Sequence, residues 1–216
     1  MNEDLPLDPI EVRTLAVLAE KEQLTPDNYP LSLNALVNGC NQLTSRDPVM
    51  ALGEAEVQAA LERLIAKKLV AEVSQAGARV AKYEHRMRLR WTLEQDRMAA
   101  LAMLMLRGPQ TAAEVRSRAG RVHEFDTVAT AEAALQFLID KYPPLAARMA
   151  RAPGAKEVRY AHLLSGDLPE IDPAAPQEAA APRQDRVAQL EREVAELKEE
   201  LARLAQDFAE IRRLLE

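Results

Sequence analysis

The sequence predicts a mainly α-helical protein with small β-hairpins, in the α+β class, and an internal repeat is the main observation behind this prediction. The segment VQAALERLIAK (57–67) aligns with AEAALQFLIDK (131–141), with six identities in eleven positions at an offset of 74 residues. Further along, GARVAKYEH (77–85) matches GAKEVRYAH (154–162) at an offset of 77. Because this period is longer than that of a solenoid unit, we infer that a whole domain has been duplicated.

The first copy begins with a clear helix start signal. Asp8 is a suitable N-cap, Pro9 takes the first helical position and Glu11 completes a capping box, so we expect a helix over residues 9–22. A loop over residues 24–31 follows. Ser32 then caps a second helix with an apolar stripe formed by Leu33, Leu36, Val37 and Cys40. The rest of this copy is a third helix and a hairpin, predicted over residues 54–68, 70–75 and 80–85.

The second copy repeats this order. Capping boxes at Thr92 and Thr111 open its first two helices. The predicted elements are helices over 92–107, 111–119 and 128–142 and a hairpin over 147–163. Three helices and a hairpin, present twice, are the order of two tandem winged helix-turn-helix domains. We therefore expect winged-helix domains at 1–88 and 89–165, a flexible linker at 166–184 and a C-terminal helix at 185–216.

The C-terminal helix carries a coiled-coil pattern. Apolar residues alternate at spacings of three and four, at Val187, Leu190, Val194, Leu197, Leu201, Leu204, Phe208, Ile211 and Leu215. The flanking charges favour a parallel homodimer, because pairs such as Glu193 with Lys198 are attractive in that arrangement. The alternative is a helix that packs on its own domains or on another protein.

Three separated segments also resemble a known family. TPDNYPLSLNALVNGCNQLTSRDPVM (25–50), RGPQTAAEVRSRAGRVHEFD (107–126) and RAPGAKEVRYAHLLSG (151–166) are similar, in this order, to segments of the YceH-like bacterial proteins. The resemblance covers about residues 8–166. It implies paired winged-helix domains, and it implies no catalytic chemistry, since that family is uncharacterised.

Composition and motifs narrow the function classes. The longest apolar run, Met98 to Leu106, is too short to span a membrane, and the acidic N-terminus does not match a signal peptide, so we expect a cytoplasmic protein. No Gly-rich phosphate loop, HExxH, GxSxG or Cys-His cluster occurs in the sequence. We therefore expect neither an enzyme nor a cofactor or metal site.

DNA binding is the function that the expected fold suggests, although the third helices supply few side chains that read bases. Their outward faces carry mainly alanine and carboxylates, with Gln58 and Gln136 as the candidate readers. Cations near the hairpins and the second helix of copy two are the candidate phosphate ligands: Arg79, Lys82, Arg116, Arg118, Arg151, Lys156 and Arg159. Solvated surface charge is an equally good explanation. A non-enzymatic protein-interaction scaffold that uses the alanine-rich faces is the alternative function.

The connector between the second and third helices of copy one, around CNQLTSRDPVM (40–50), is unusually polar. Cys40 falls on the inward stripe and is expected to be buried and unreactive. The polar residues that follow it are expected to bond to nearby backbone. Arg46 is left over, and it could pair with Asp47 or bind a phosphate.

Overall fold

The computed structural model describes residues 6–73, 80–150, 157–166 and 168, and these ranges hold a mainly α fold with two small antiparallel sheets. The first copy consists of three helices and three short strands: α1 (Pro9–Leu24), β1 (Leu31–Ser32), α2 (Leu33–Cys40), α3 (Glu54–Ala66), β2 (Val70–Val73) and β3 (Lys82–His85). The second copy follows a short connecting helix: α4 (Met87–Trp91), α5 (Gln95–Arg107), α6 (Ala112–Ala119), α7 (Val128–Asp140), β4 (Ala146–Arg148) and β5 (Tyr160–His162).

The two copies correspond closely in length and position. The helices α3 and α7 both have 13 residues and begin 74 residues apart, while α2 and α6 both have eight residues. In the first copy β1 pairs with β3, which also pairs with β2. In the second copy a single bridge from Gln110 to Tyr160 stands where β1 pairs with β3, beside the β4–β5 pair. The predicted order of elements is therefore present twice.

The capping signals explain two of the helix starts. The Asp8 carboxylate accepts hydrogen bonds from the backbone N–H groups of Ile10 and Glu11, both at 2.8 Å, and Glu11 accepts one from the N–H of Asp8. At α6 the Thr111 hydroxyl accepts a hydrogen bond from the N–H of Glu114 at 3.2 Å. Two of the three predicted capping boxes, at Asp8 and Thr111, are confirmed, and each satisfies backbone donors that a helix start otherwise leaves unpaired.

The predicted start of the fifth helix is wrong. Thr92 adopts a left-handed conformation, with φ of 48°, and ends the short α4, while α5 begins at Gln95 after Glu94. The reason is packing, because Met87 and Trp91 lie one helical turn apart and both are buried, which holds this segment in a helix of its own.

Several other boundaries differ from the prediction by a few residues. The expected loop at 24–31 contains a 3₁₀ turn at Pro26–Asn28 and reaches the two-residue strand β1. The helices α3 and α7 end two residues early, and β3 begins at Lys82 rather than at Val80, which is exposed. Helix ends fray and short strands depend on distant partners, so local patterns place such boundaries poorly.

The core runs through both copies. The first helices of the copies, α1 and α5, pack against each other, and every residue of Met98–Leu106 is buried. A helix that is apolar on all sides must be covered on all sides. All described residues belong to one compact unit, Met1–Ile171. The predicted boundary between residues 88 and 89 falls inside α4, and the division into two domains stays a prediction.

Candidate nucleic-acid interface

The first candidate base reader, Gln58, is already engaged by its own copy. Its side-chain amide donates to Glu62 at 3.1 Å, and its carbonyl oxygen accepts from the Tyr83 hydroxyl at 3.5 Å. The neighbouring Ala55 and Ala66 are exposed. The outward face of α3 therefore presents methyl groups and carboxylates.

Gln136 on α7 is held in the same way. Its amide donates to Asp140 at 2.7 Å, and its oxygen accepts from Arg148 at 2.8 Å. Ala129 and Ala133 are exposed beside it. To read a base edge, either glutamine would first have to give up these bonds, so the third helices are poorly prepared for direct readout.

Arg116 is fixed by backbone carbonyls rather than by an acid. Its Nε donates to the carbonyl of Phe125 and its Nη2 to the carbonyl of Asp126, both at 3.0 Å. The side chain is exposed, and within the described residues it forms no ion pair. Carbonyl groups orient the guanidinium without cancelling its net charge, so Arg116 keeps its attraction for anions.

Arg118 and Arg159 come from different segments and meet at one carboxylate. Arg118 lies 3.3 Å from Glu114 and Arg159 lies 3.1 Å from it. Arg159 also donates to the carbonyl of Pro109 at 2.8 Å, and Arg118 donates to the side-chain oxygen of Gln110 at 3.0 Å. Two cations share one anion, so this cluster carries a net positive charge beside the second hairpin.

The remaining predicted contacts are less well defined. Lys82 lies in β3 and is half-buried, and its side chain makes no hydrogen bond or ion pair with any other described residue. Arg79, Arg151 and Lys156 lie outside the described residues. So do all nine coiled-coil positions from Val187 to Leu215 and the predicted linker, apart from residues 166 and 168. The structure thus brings together Arg118 and Arg159 from the predicted set.

The connector around CNQLTSRDPVM is organised by a buried ion pair. Arg46 is 6% exposed and donates two hydrogen bonds to the Glu20 carboxylate, at 3.1 and 2.7 Å. It also donates to the carbonyl of Gly39 at 3.1 Å and to the side-chain oxygen of Gln42 at 2.8 Å. Both expected roles, a pair with Asp47 or a phosphate ligand, are wrong, because the partner lies 26 residues away on α1.

Asn41 and Cys40 behave as predicted, whereas the side chains of Thr44, Ser45 and Asp47 form no hydrogen bond with another described residue. The Asn41 side chain forms two hydrogen bonds of 2.8 Å with the backbone of Leu52, one as donor and one as acceptor. Cys40 is fully buried, and burial raises the pKa of its thiol to about 11. A thiol of this kind is unreactive at neutral pH. The connector is therefore local structure.

The three histidines lie in different surroundings. The imidazole of His85 lies 3.3 Å from Glu22, and His123 packs edge-on against Phe125. His162 is largely buried, and its Nδ1 has no hydrogen-bond partner among the described residues. Across the described ranges, no three His, Cys, Asp or Glu side chains group together in a way that could hold a metal ion.

A cleft between the two copies brings the predicted Arg118 together with cations that the predicted set of phosphate ligands did not include. The cleft has a volume of about 450 Å³ and is walled by the ends of α1, α5 and α6 and by residues 42–45. Its basic side chains are Lys21, Arg107, Arg118 and Arg121. Residues 89–167 hold 11 Lys and Arg against 9 Asp and Glu, and this excess of positive charge was the one sequence feature that could have indicated a basic surface in the second copy. Lysines and arginines at helix ends usually complement the helix dipole, so the pattern alone did not single these residues out.

None of the helices in the described ranges combines the length and the apolar character that crossing a membrane requires. The fold defined by these ranges is mainly α, with two small antiparallel sheets and a twice-used order of elements.

Comparison with known proteins places this chain in a family. The family described as "Protein of unknown function, DUF480" matches residues 7–155, and the chain belongs to it. A UPF0502 protein of Janthinobacterium sp. (strain Marseille) is 68% identical over 167 residues, which is 77% of this chain and 72% of the relative. A UPF0502 protein of Herminiimonas arsenicoxydans is 64% identical over 175 residues, 81% of this chain and 74% of the relative. The predicted membership of an uncharacterised bacterial family is confirmed.

Proposed function

We propose that residues 6–166 form two tandem winged helix-turn-helix domains. Two features support this assignment: the equal lengths of the two second helices and of the two third helices, and the strand contact that precedes the second helix in each copy. In a winged helix this contact joins the helical body to the hairpin.

We further propose that the protein binds DNA through the phosphate backbone, without reading base edges. The observation that carries this proposal is the Arg118 and Arg159 pair around the single carboxylate of Glu114. Arg116 adds a second uncompensated charge on the same short helix. Cations that hold phosphates give affinity and orientation without sequence information. The engaged glutamines of α3 and α7 fit this mode, since they are not needed for it.

The dimer belongs to the same proposal. A parallel coiled coil over residues 187–215 would join two chains and double the number of cations offered to one duplex. Linked weak sites bind more tightly than one site alone, which suits a surface whose individual contacts are modest.

Sedimentation velocity of the full chain with duplex DNA, at two salt concentrations, tests both parts. We expect a free species of about twice the 24.0 kDa chain mass and binding that weakens steeply with salt. Replacing Arg159→Gln should reduce the slope of log affinity against log salt by about 1 per lost contact. The exposed Lys68 lies after α3 in the other copy, and Lys68→Gln removes the same charge as a matched control.

Absence of binding at low salt would reject the DNA proposal, and a species of single-chain mass would reject the dimer. Absence of binding would favour the second candidate, a non-enzymatic interaction scaffold. The exposed alanines of α3 and α7 support that candidate, because small side chains let another protein approach a helix closely.

A further inference from the structure

The cleft between the copies has an unbalanced charge. Four cations line it, and the single carboxylate in its wall is Glu20. That carboxylate is already used by the buried Arg46 at 2.7 Å and by Lys21 at 3.3 Å. Arg118 has Glu114 as its partner, outside the wall. Among the described residues, Arg107 and Arg121 therefore have no counter-ion in the cleft.

Arg107 shows this imbalance most clearly. It is half-buried, and its side chain forms no hydrogen bond or ion pair with another described residue. Burial lowers the pKa of Arg107, and the nearby charges of Arg118 and Arg46 lower it further, while the carboxylates of Glu20 and Asp47 oppose this shift. A partly buried guanidinium among other cations is unfavourable by itself, and an anion placed beside it would remove that cost.

The uncharged polar side chains of the cleft include groups that can donate a hydrogen bond to an anion. The side-chain oxygen of Gln42 accepts hydrogen bonds from Arg46 at 2.8 Å and from Lys21 at 3.5 Å, so its NH₂ group remains available to donate. Thr44 and Ser45 are exposed, and their hydroxyls are unpaired in the described part of the chain. Ser45 has a φ of 64°, a conformation that is uncommon for serine and is often associated with functional sites.

The wall also has apolar parts. Leu24, Met103 and Leu106 contribute to it, and Leu43 is 81% exposed in the same connector. A volume of about 450 Å³ lies in the range of small-molecule pockets, which combine apolar walls with a few polar groups that fix orientation. Met103 and Leu106 are already covered by the protein, so the apolar surface that an organic group could contact is that of Leu24 and Leu43.

We propose that this cleft binds a small organic phosphate, with the phosphate held by Arg107, Arg118 and Arg121 and the organic part against the leucines. Guanidinium groups suit this role, because their planar forks match phosphate oxygens in two hydrogen bonds at once. The walls come from both copies, so the ligand would join them. This site shares Arg118 with the DNA proposal. Arg159, the variant residue of that proposal, does not line the cleft, so variants can tell the two sites apart.

Thermal unfolding and calorimetry of the full chain test the proposal, with pyrophosphate as the probe and sodium chloride at the same ionic strength as the control. We expect saturable binding of pyrophosphate and a rise in Tm that chloride does not give. Arg107→Gln and, separately, the exposed Arg121→Gln should each weaken binding at least tenfold. Lys68→Gln and Arg159→Gln should leave it unchanged.

Arg107→Gln should also change the Tm of the protein without pyrophosphate in a characteristic direction. Because it removes one of several crowded cations, its Tm without pyrophosphate should equal or exceed that of the wild type. If this variant fails to fold, the exposed Arg121→Gln still decides the question. Pyrophosphate binding that is absent, no better than with chloride, or equally strong in Arg121→Gln would overturn the proposal. Binding that is equally reduced in Arg159→Gln would place the anion at the DNA-binding cluster instead.

Discussion

The two copies use matching helices but connect the second helix to the third in different ways. In the first copy the connector closes over the buried Arg46 and its partner Glu20 on α1. In the second copy Arg116 holds the connector from outside, through two backbone carbonyls. The two copies therefore share the arrangement of their helices but not the contacts of their connectors. Arg46, within the connector, orders the first one, and Arg116, on α6, orders the second.

Burial makes these two arginines energetically different. Burial alone would raise the pKa of the Glu20 carboxyl, but the hydrogen bonds and charge of Arg46 hold it below its usual value. Removing one member of such a pair leaves a buried charge without compensation, which costs far more than the loss of an exposed hydrogen bond.

The largest expected effect comes from breaking the buried pair. Arg46→Ala should lower the free energy of unfolding by about 3–5 kcal/mol, because the buried Glu20 would keep only its contact with Lys21 at 3.3 Å. Arg116→Ala should cost about 1 kcal/mol, since water can replace the arginine at the exposed carbonyls. Urea unfolding of both variants measures the difference. Equal losses would show that the two arginines play the same role, and the comparison would fail.

Histidines at matching positions also have different surroundings. His85 lies beside the carboxylate of Glu22, and this contact lowers the pKa of Glu22 to about 2. His162 has no such partner, and burial lowers its pKa to about 4. Glu22 contributes stability that is present above its ordinary pKa of 4.5 and lost as the pH falls towards 2. His162 affects the stability of the fold at higher pH, between its ordinary pKa of 6.5 and about 4.

The second prediction concerns that range. Between pH 6.5 and about 4 the unfolded chain holds a proton on His162 that the folded chain does not, so stability falls as the pH is lowered. The loss should approach about 3 kcal/mol over this interval. In His162→Leu the part of the slope due to this residue should vanish, with stability at pH 7.5 retained. Urea unfolding at pH 7.5, 6 and 5 measures it, and an identical slope in both proteins would refute the assignment.

The smallest expected effect concerns how closely the second helices approach the first. A Cβ added at Gly39 would meet the Cγ1 of Val17 on α1 at 2.6 Å. The matching position on α6 is the exposed Arg118, so the second copy has no such close approach. Gly39→Ala should therefore cost about 1–2 kcal/mol, the overpacking loss reduced by the helix preference of alanine.

Gly120→Ala is the matched control in the second copy. Nothing lies within 4 Å of a Cβ added there, and its backbone is right-handed helical, so this change should be neutral or slightly stabilising. Thermal unfolding of the two variants measures the contrast. A Gly39→Ala protein as stable as the control would mean that α1 and α2 can separate without cost.

Local signals explain what could be predicted from the sequence. The capping boxes at Asp8 and Thr111 lie within four residues of the groups that they bond, and both were found. The strand β1 was missed because two residues gain their strand character only from β3, about fifty positions later. The partner of Arg46 was missed for the same reason. Features that depend on distant segments have no local pattern.

The packing of α1 against α5 has a consequence for how this duplication can change over time. Each copy contributes its first helix to the other's interior, and the nine buried residues of Met98–Leu106 have no solvent-facing side on which substitutions could accumulate freely. Losing or exchanging either copy alone would expose the apolar side chains that its first helix covers in the other copy. We therefore expect substitutions in the two copies to be inherited together.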